Sequence, residues 1–585
     1  MVPAERRMNR DADRLLLRMA WRSGHWAVLL VAAASGGAIA DTLLPAAAGR
    51  TVDVMLRLAA APGSPGASSR AGHWLAGCIA LMALTVAGAA LVQLATGMST
   101  AAATGWLRRT LAGHVLACGL RLAGRFPDGD LASRVIGSAA DAGYAPASGV
   151  LAIAAVIPPA GSVIALGLID PWLAVAFAAG LPVLAVALRL FVRDSSDVTV
   201  RYQQAQGAIT GRLLDALAGA RTIAAAGTRD QEAARVLAPL ADLRRHGSAS
   251  WRVQARIVAQ GSVIVPLLQI LVVAVAGIEL AARRISPGEL LAASQYAVLG
   301  AGLGAAIGRL GQLSRARAGA RRAVGLLAER PPAQGTSLLP AGPGCLQLRA
   351  VTVRAGELIL DGVDVTVPGG CVVAVVGRSG AGKSLFAALA GRLLDPAAGD
   401  VRLDGVPLRS LDRGQLRRAV VYAFDRPALF GRTPREAIMF GITRPAADRV
   451  LSAARDAAAL DFLRKLPSGL DTALDAAPMS GGEVQRIGLA RAFAHADEAR
   501  LLILDDAMSS LDSITEQQVA AALTSRLHGR TCLIIAHRAA TAARADLVAW
   551  LDGGKLLALR PHRELWPDPR YRAIFAPAAP AAADD

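Results

Sequence analysis

The sequence has little lysine, little cysteine and few aromatics. Lysine occurs only at Lys383, Lys465 and Lys555, although lysine and arginine together number 63 in 585 residues. Arginine therefore carries nearly all of the positive charge. The five cysteines, Cys78, Cys118, Cys345, Cys371 and Cys532, are scattered, which excludes a disulfide framework and a clustered thiolate metal site. Aromatic residues make up 4% of the chain, and no aromatic interleaving or groove-reading motif accompanies the net charge of +18. A nucleic-acid partner is excluded on that ground. No internal repeat is present, and no small-residue cleavage site precedes the first apolar run, so no secretory signal peptide is expected.

Apolar sequence, by contrast, is abundant. Hydrophobic residues reach 54% and mean hydropathy is +0.41. Six runs of about 20 residues, enough to cross a bilayer, fall at 26–48, 74–97, 147–169, 172–192, 257–282 and 289–308. The last is rich in glycine and alanine. These runs predict an all-α, six-helix transmembrane domain over residues 25–320, with close packing through small residues and kinks at Pro45, Pro158, Pro159, Pro182 and Pro266. Arginines crowd the lead, residues 1–24, and segments 108–134 and 189–256. By the positive-inside rule these segments are cytoplasmic, as are both termini. Residues 106–126 and 193–256 keep helical periodicity, so the membrane helices are expected to run well beyond the bilayer. Asp41 and Gln93 lie inside spans, where polar residues face either a transport route or a neighbouring helix.

After a proline- and glycine-rich linker at 321–345, composition changes. From residue 346 to 576, short β-branched strands at 363–367, 372–376, 420–424, 501–504 and 531–535 alternate with helices, which predicts an α/β domain with a mainly parallel sheet. A Pro/Ala-rich tail, 577–585, is expected to be disordered. Within the α/β domain, Gly377-Arg378-Ser379-Gly380-Ala381-Gly382-Lys383-Ser384 fits the phosphate-loop pattern between a strand and a helix expected at 385–394. Glycines let backbone N–H groups turn inward on an anion, and the helix N-terminus adds partial positive charge. Lys383 would reach the β- and γ-phosphates of ATP, and the Ser384 hydroxyl would ligate Mg²⁺. A lysine at this position in a chain that otherwise uses arginine is a retained cation.

About 120 residues later, Leu501-Leu502-Ile503-Leu504-Asp505-Asp506 is an apolar strand ending in two carboxylates. Asp505 would hold Mg²⁺ through water, and Asp506 would orient or deprotonate the attacking water. His537, after the strand at 531–535, would contact the γ-phosphate. With Met479-Ser480-Gly481-Gly482-Glu483, Ser509-Ser510-Leu511-Asp512 and Ile535-Ala536-His537-Arg538, the chain resembles the ATP-binding cassette transporters, specifically exporter-type half-transporters, over nearly its whole length. Residues 129–135 and 217–223 resemble the two intracellular loops of such exporters. The resemblance implies a dimer with a second half-transporter in the lipid bilayer. It also implies that Ser480, Gly481, Gly482 and Glu483 complete an ATP site on the partner chain.

Four departures from the family pattern fall on the nucleotide site. Asp506 stands where efficient members carry glutamate, and Asp425 stands where they carry the glutamine that lines Mg²⁺ and γ-phosphate. Arg354 or Ala355 occupies the place of the adenine-stacking aromatic. Residues 472–479 are short and lack the family's glutamate. These departures predict the weakly hydrolytic half of a heterodimer that exports an unidentified substrate across the cell membrane. A homodimer with slow hydrolysis, a nucleotide-gated regulatory subunit and an importer built on the exporter fold are the alternatives. With no peptidase domain before the first span, cleavage of a peptide leader is not expected.

Overall fold

A computed structural model of the chain describes residues 3–60, 67–123, 125–355, 357–441, 447–526 and 529–575. The tail expected to be disordered, 577–585, lies outside the described residues. Two compact units are present: residues 1–116 with 126–329, and residues 117–125 with 330–585.

The first unit is helical. Four runs among the described residues are long and apolar enough to cross a membrane: His25–Ala60, Ser69–Cys118, Gly129–Ile169 and Arg229–Ala281, with a shorter apolar stretch at Pro171–Pro182. In hydrocarbon a helix satisfies its own backbone groups, which is why such apolar runs fold this way. The helix Ala67–Cys118 has 52 residues, about 78 Å at 1.5 Å per residue against a core of about 30 Å. Its length carries the helix far past any bilayer surface. Pro171–Ala218 and Leu240–Ala281 are similarly long and pack along each other.

Small residues set the helix spacing. A Cβ on Gly49 would lie 2.4 Å from the Gly288 carbonyl oxygen, and one on Gly161 would lie 2.4 Å from Thr42 Cγ2. Any larger side chain would force these backbones apart. The run 289–308 is not one helix: Pro287–Gly300 ends there, and Leu303–Leu327 restarts after a turn. Gly300 sits where a Cβ would be 2.5 Å from the Phe177 ring. The run 147–169 likewise divides into Ala145–Ala154 and Ile157–Ile169, with Pro158 and Pro159 in the first turn of the second helix. The helices continue through Pro45, Pro182 and Pro266.

One further boundary differs from the sequence reading. Residues 321–327, assigned to the linker, belong to the helix Leu303–Leu327, whose Ala316, Ala320, Ala323 and Leu326 are buried at helical spacing. The basic lead is itself a helix, Pro3–Arg22, packed on Leu303–Leu327 through Ala12, Leu15 and Met19. Arg317 pairs with Asp13 at 2.6 Å on the same contact.

The second unit contains two sheets. The larger has the strand order β10-β9-β3-β8-β7-β6, formed by β3 (Val372–Val376), β6 (Val420–Phe424), β7 (Leu501–Asp505), β8 (Thr531–Ile535), β9 (Leu547–Asp552) and β10 (Lys555–Arg560). All pairs are parallel except β9 with β10. Helices cover both faces, so the strands are continuous apolar runs rather than alternating ones. Phe424 pairs with Asp505, Leu504 with Ile534 and Val375 with Ile535, so the carboxyl ends of β6, β7, β8 and β3 finish level on one edge. Ligands of open parallel sheets bind outside that edge.

The smaller sheet is antiparallel, β2-β1-β4-β5, from β1 (Leu346–Ala355), β2 (Glu357–Val367), β4 (Ala398–Leu403) and β5 (Val406–Pro407). The strand expected at 363–367 is the end of β2 and joins this sheet, not the parallel one. Register shifts near Val351 and Val353 interrupt the alternation that would have marked it.

Candidate nucleotide site

The phosphate loop leaves β3 at its carboxyl end. Gly380 and Gly382 have φ of +82° and +92°, a region open to glycine at little cost. Gly377 also admits no side chain, since a Cβ would lie 2.3 Å from the Leu551 carbonyl oxygen. The helix that follows is Lys383–Ala390 rather than 385–394. It stops at Gly391, where any Cβ would collide with the Tyr422 hydroxyl at 2.1 Å. Lys383 is 8% exposed and donates from Nζ to the carbonyls of Gly377 at 2.9 Å and Arg378 at 3.1 Å. Burial lowers its pKa, opposed by the nearby Asp506 carboxylate.

Asp505 ends β7 beside this loop. Its Oδ1 is buried without a hydrogen-bond partner, while the Ser384 hydroxyl is within bonding reach of the carboxylate. Burial raises the Asp505 pKa, the Ser384 hydrogen bond opposes that, and the Asp506 and Asp425 carboxylates push it further up. An orphaned carboxylate oxygen beside a hydroxyl is a donor set that suits a hard cation bringing water and phosphate ligands of its own. Among the described residues no cluster of three or more His, Cys, Asp or Glu could hold a metal by itself.

Asp506 has a φ of +52°, in the left-handed region that aspartate visits more readily than longer side chains. His537 Nε2 lies 3.0 Å from Asp506 Oδ1. The parallel sheet thus brings together Lys383, Ser384, Asp505, Asp506 and His537 from three strand ends.

Asp425 follows β6 and is turned toward the segment after β7. Ser509 Oγ donates to Asp425 Oδ1 at 2.8 Å, and Gln485 Nε2 donates to the same oxygen at 3.3 Å. The Gln485 amide also donates to the Asp506 carbonyl at 3.0 Å and to Ser509 Oγ at 3.3 Å, and its Oε1 accepts from Ser510 N at 3.2 Å. Gln485 is 1% exposed and was not singled out in the sequence. A lone amide inside a helical run gives no signal until the sheet closes around it.

Ser480, Gly481, Gly482 and Glu483 form the start of the helix Gly481–Ala496. Ser480 Oγ accepts from Glu483 N at 3.3 Å, while Glu483 Oε2 accepts from Ser480 N at 2.7 Å. This capping box satisfies two otherwise orphaned donors. Among the described residues, no hydrogen bond joins this segment to the phosphate loop. Gly482 instead abuts the Ser510 carbonyl, 3.3 Å from a Cβ placed there. Arg354 is exposed at the end of β1, and the side chain of Ala355 lies outside the described residues.

The second unit also takes in residues 117–125, whose short helix Leu120–Ala123 places Arg121 Nη2 2.7 Å from Asp395 Oδ2. Neither residue stood out in the sequence. Residues 129–135 instead belong to the first unit, where Arg134 pairs with Asp130 at 3.0 Å. Residues 217–223 span the break at Gly219 between two helices of the first unit.

Comparisons with known proteins agree with this layout. Residues 360–509 match the ABC transporter family model, and residues 27–300 match the ABC transporter transmembrane region. The ABC transporter ATP-binding protein RamA of Streptomyces coelicolor is 46% identical over 94% of this chain and 85% of that protein. An ATP-dependent lipid A-core flippase of Chromobacterium violaceum is 32% identical over 66% of this chain and 67% of its own length. Among solved structures, a bacterial Atm1-family ABC exporter with ATP bound superposes with a TM-score of 0.78 at 23% identity, covering 95% of this chain and 99% of that one.

Proposed function

Since the chain belongs to the ABC transporter family as an exporter-type half-transporter, we propose that it is the weakly hydrolytic half of a heterodimeric exporter. Two such chains enclose ATP between one chain's phosphate loop and the other's Ser480-Gly481-Gly482 segment. Both termini and the cassette lie in the cytoplasm of a cell whose plasma membrane holds the spans.

At this chain's own loop, Lys383 supplies a point charge for the β- and γ-phosphates, and the backbone N–H groups of Gly380 to Ser384 face the same anion. Ser384 and Asp505 would hold Mg²⁺, which when bound supplies charge neutralisation between β- and γ-phosphate oxygens. Asp506 orients water, and His537, whose Nε2 is 3.0 Å from Asp506 Oδ1, presents its ring to the γ-phosphate. Asp506 is one methylene shorter than glutamate, and a misplacement of about 1 Å can lower a rate roughly a hundredfold.

The observation that carries this reading is the state of Asp425. Its Oδ1 accepts from Ser509 and Gln485 within the same chain, so it ties the β6 end to the 509–510 segment, and as a carboxylate it offers a bound nucleotide no hydrogen-bond donor where glutamine would. Nucleotide trapping tests the reading. The chain co-purified with a second half-transporter carrying glutamate after its own strand aspartate should retain one ATP through many turnovers, and cross-linking should place that ATP at this chain's loop. Equal turnover at both loops would refute the heterodimer assignment, and full activity of this chain alone would favour a homodimer.

A further inference from the structure

Three helices of the membrane unit border an open cleft of about 360 Å³, in which Asp41, Gln295 and Val298 are exposed and Gln269 is half-buried. Asp41 enters it from His25–Ala60, Gln269 from Leu240–Ala281, and Ser294 and Gln295 from Pro287–Gly300; Leu44 and Val298 form part of its apolar wall. No basic side chain lines it.

The polar groups lie within apolar spans. Asp53 Oδ2 accepts from Ser286 Oγ at 2.5 Å and Asp53 Oδ1 from Gly288 N at 2.8 Å, which ties one end of His25–Ala60 to the start of Pro287–Gly300. Measured from that tie, at 1.5 Å per residue, Asp41 lies about 18 Å along its helix and Gln295 about 14 Å, and Gln269 lies about 18 Å from the Ala281 end of its own helix. Each falls within one of the apolar runs 26–48, 257–282 and 289–308. Tyr296 donates from Oη to the Thr42 carbonyl at 2.9 Å, which pins the neighbours of Gln295 and Asp41 in register.

The Ser294 hydroxyl donates to the Leu291 carbonyl of its own helix at 2.7 Å. Asp41, Gln269 and Gln295 have no hydrogen-bond or ion-pair partner among the described residues. A carboxylate within an apolar span is expensive unless it meets a cation, and two amides beside it supply both acceptors and donors.

We infer that this cleft takes the cationic head of an amphipathic substrate, a protonated amine or guanidinium, with Asp41 as counter-charge, Gln269 and Gln295 as hydrogen-bond partners, and the apolar part of the substrate against Leu44 and Val298. The inference rests on the transport reading and narrows its substrate class. The volume falls within the range of small-molecule pockets, so the cleft recognises a head group or short segment.

The test uses the full chain in phosphatidylcholine nanodiscs without nucleotide, titrated with a dansyl-tagged alkyl primary amine and with its N-acetylated neutral counterpart, each corrected against empty nanodiscs. Wild type should bind the amine at least tenfold more tightly than the acetylated probe. Asp41→Asn should abolish that preference, Asp41→Glu should keep part of it, and Gln295→Ala should weaken both probes. Equal binding of the two probes by wild type, or a preference that survives Asp41→Asn, would overturn the assignment. Should Asp41→Asn fail to fold by size exclusion, the comparison of probes on wild type decides, with Asp41→Glu as the variant. ATP-driven accumulation of the amine in inside-out vesicles holding this chain with its partner half-transporter is read separately: binding with charge preference but no accumulation there would refute the transport reading and leave the cleft standing.

Discussion

Ser509 donates its hydroxyl hydrogen to Asp425 at 2.8 Å, joining segments that leave two neighbouring strands, β6 and β7. The bond is charge-assisted, and Gln485 bridges the same two residues from the helix Gly481–Ala496. Removing either partner leaves the buried Gln485 amide with a weaker set of contacts. Asp425→Ala and Ser509→Ala should each lower stability by about 1 kcal/mol, since Asp425 is partly exposed and a charged hydrogen bond is worth about 1.5–3 kcal/mol at most. The two losses should not add, because the residues share one network. Chemical denaturation of the single and double variants measures the coupling, and full additivity would show that the network is not a unit.

Glu483 places a carboxylate at a helix start that is proposed to face the partner's nucleotide. A capping box accepts glutamine as readily as glutamate. Glu483→Gln should therefore leave stability within about 0.5 kcal/mol while tightening ATP binding at the composite site, and Glu483→Ala should cost about 1 kcal/mol through loss of the cap. Denaturation and nucleotide titration of the assembled dimer separate the two effects. Weaker ATP binding in Glu483→Gln would show that the carboxylate assists the site.

Asp505 carries a raised pKa, chiefly because burial penalises its charged form. A raised folded-state value means that the neutral form stabilises the fold below the ordinary carboxylate value of 3.8, and that this contribution is lost as pH rises through the shifted value. Without metal, Asp505→Asn should therefore raise the melting temperature at pH 7. Mg²⁺ with ATP should stabilise wild type more at pH 7 than at pH 5, and this difference should shrink in Asp505→Asn to the part that comes from titration of the terminal phosphate itself. Scanning calorimetry at the two pH values checks the sign.

Arg121 and Asp395 pair at 2.7 Å although 274 residues separate them. Both residues lie in the second unit, where Asp395 also accepts from Arg392 Nε at 3.0 Å. The pair is partly exposed, so Arg121→Ala should lower stability by no more than about 1 kcal/mol. Chemical denaturation reads this, and a loss above about 2 kcal/mol would show that the pair is held away from water.

Much of the cassette was legible because its parallel strands are short buried runs bounded by breakers: 372–376, 420–424 and 531–535 match residue for residue. The phosphate loop and the paired carboxylates were legible from spacing. The antiparallel sheet was not, since β1 and β2 pair through register shifts that hide alternation. No proline marks the helix break after Gly300, and Phe177, whose ring a Gly300 side chain would meet, arrives from another helix, an approach local propensity cannot report. Gln485 and Arg121 gain meaning only from partners distant in sequence, Asp425 and Asp395. The sequence pointed to Asp425 as an unusual charge near the γ-phosphate; the structure shows its Oδ1 committed to Ser509 and Gln485.

In the proposed heterodimer Asp506 limits hydrolysis at this chain's own loop. Its φ of +52° suits aspartate, so Asp506→Glu should lower stability by about 1 kcal/mol through strain in a sparsely populated backbone region. The same change should raise steady-state ATP hydrolysis at this loop by tenfold or more, measured in the heterodimer with the partner's own loop disabled. An unchanged rate in Asp506→Glu, with wild type already turning over at the level of the intact partner, would contradict the assignment of this chain as the weakly hydrolytic half.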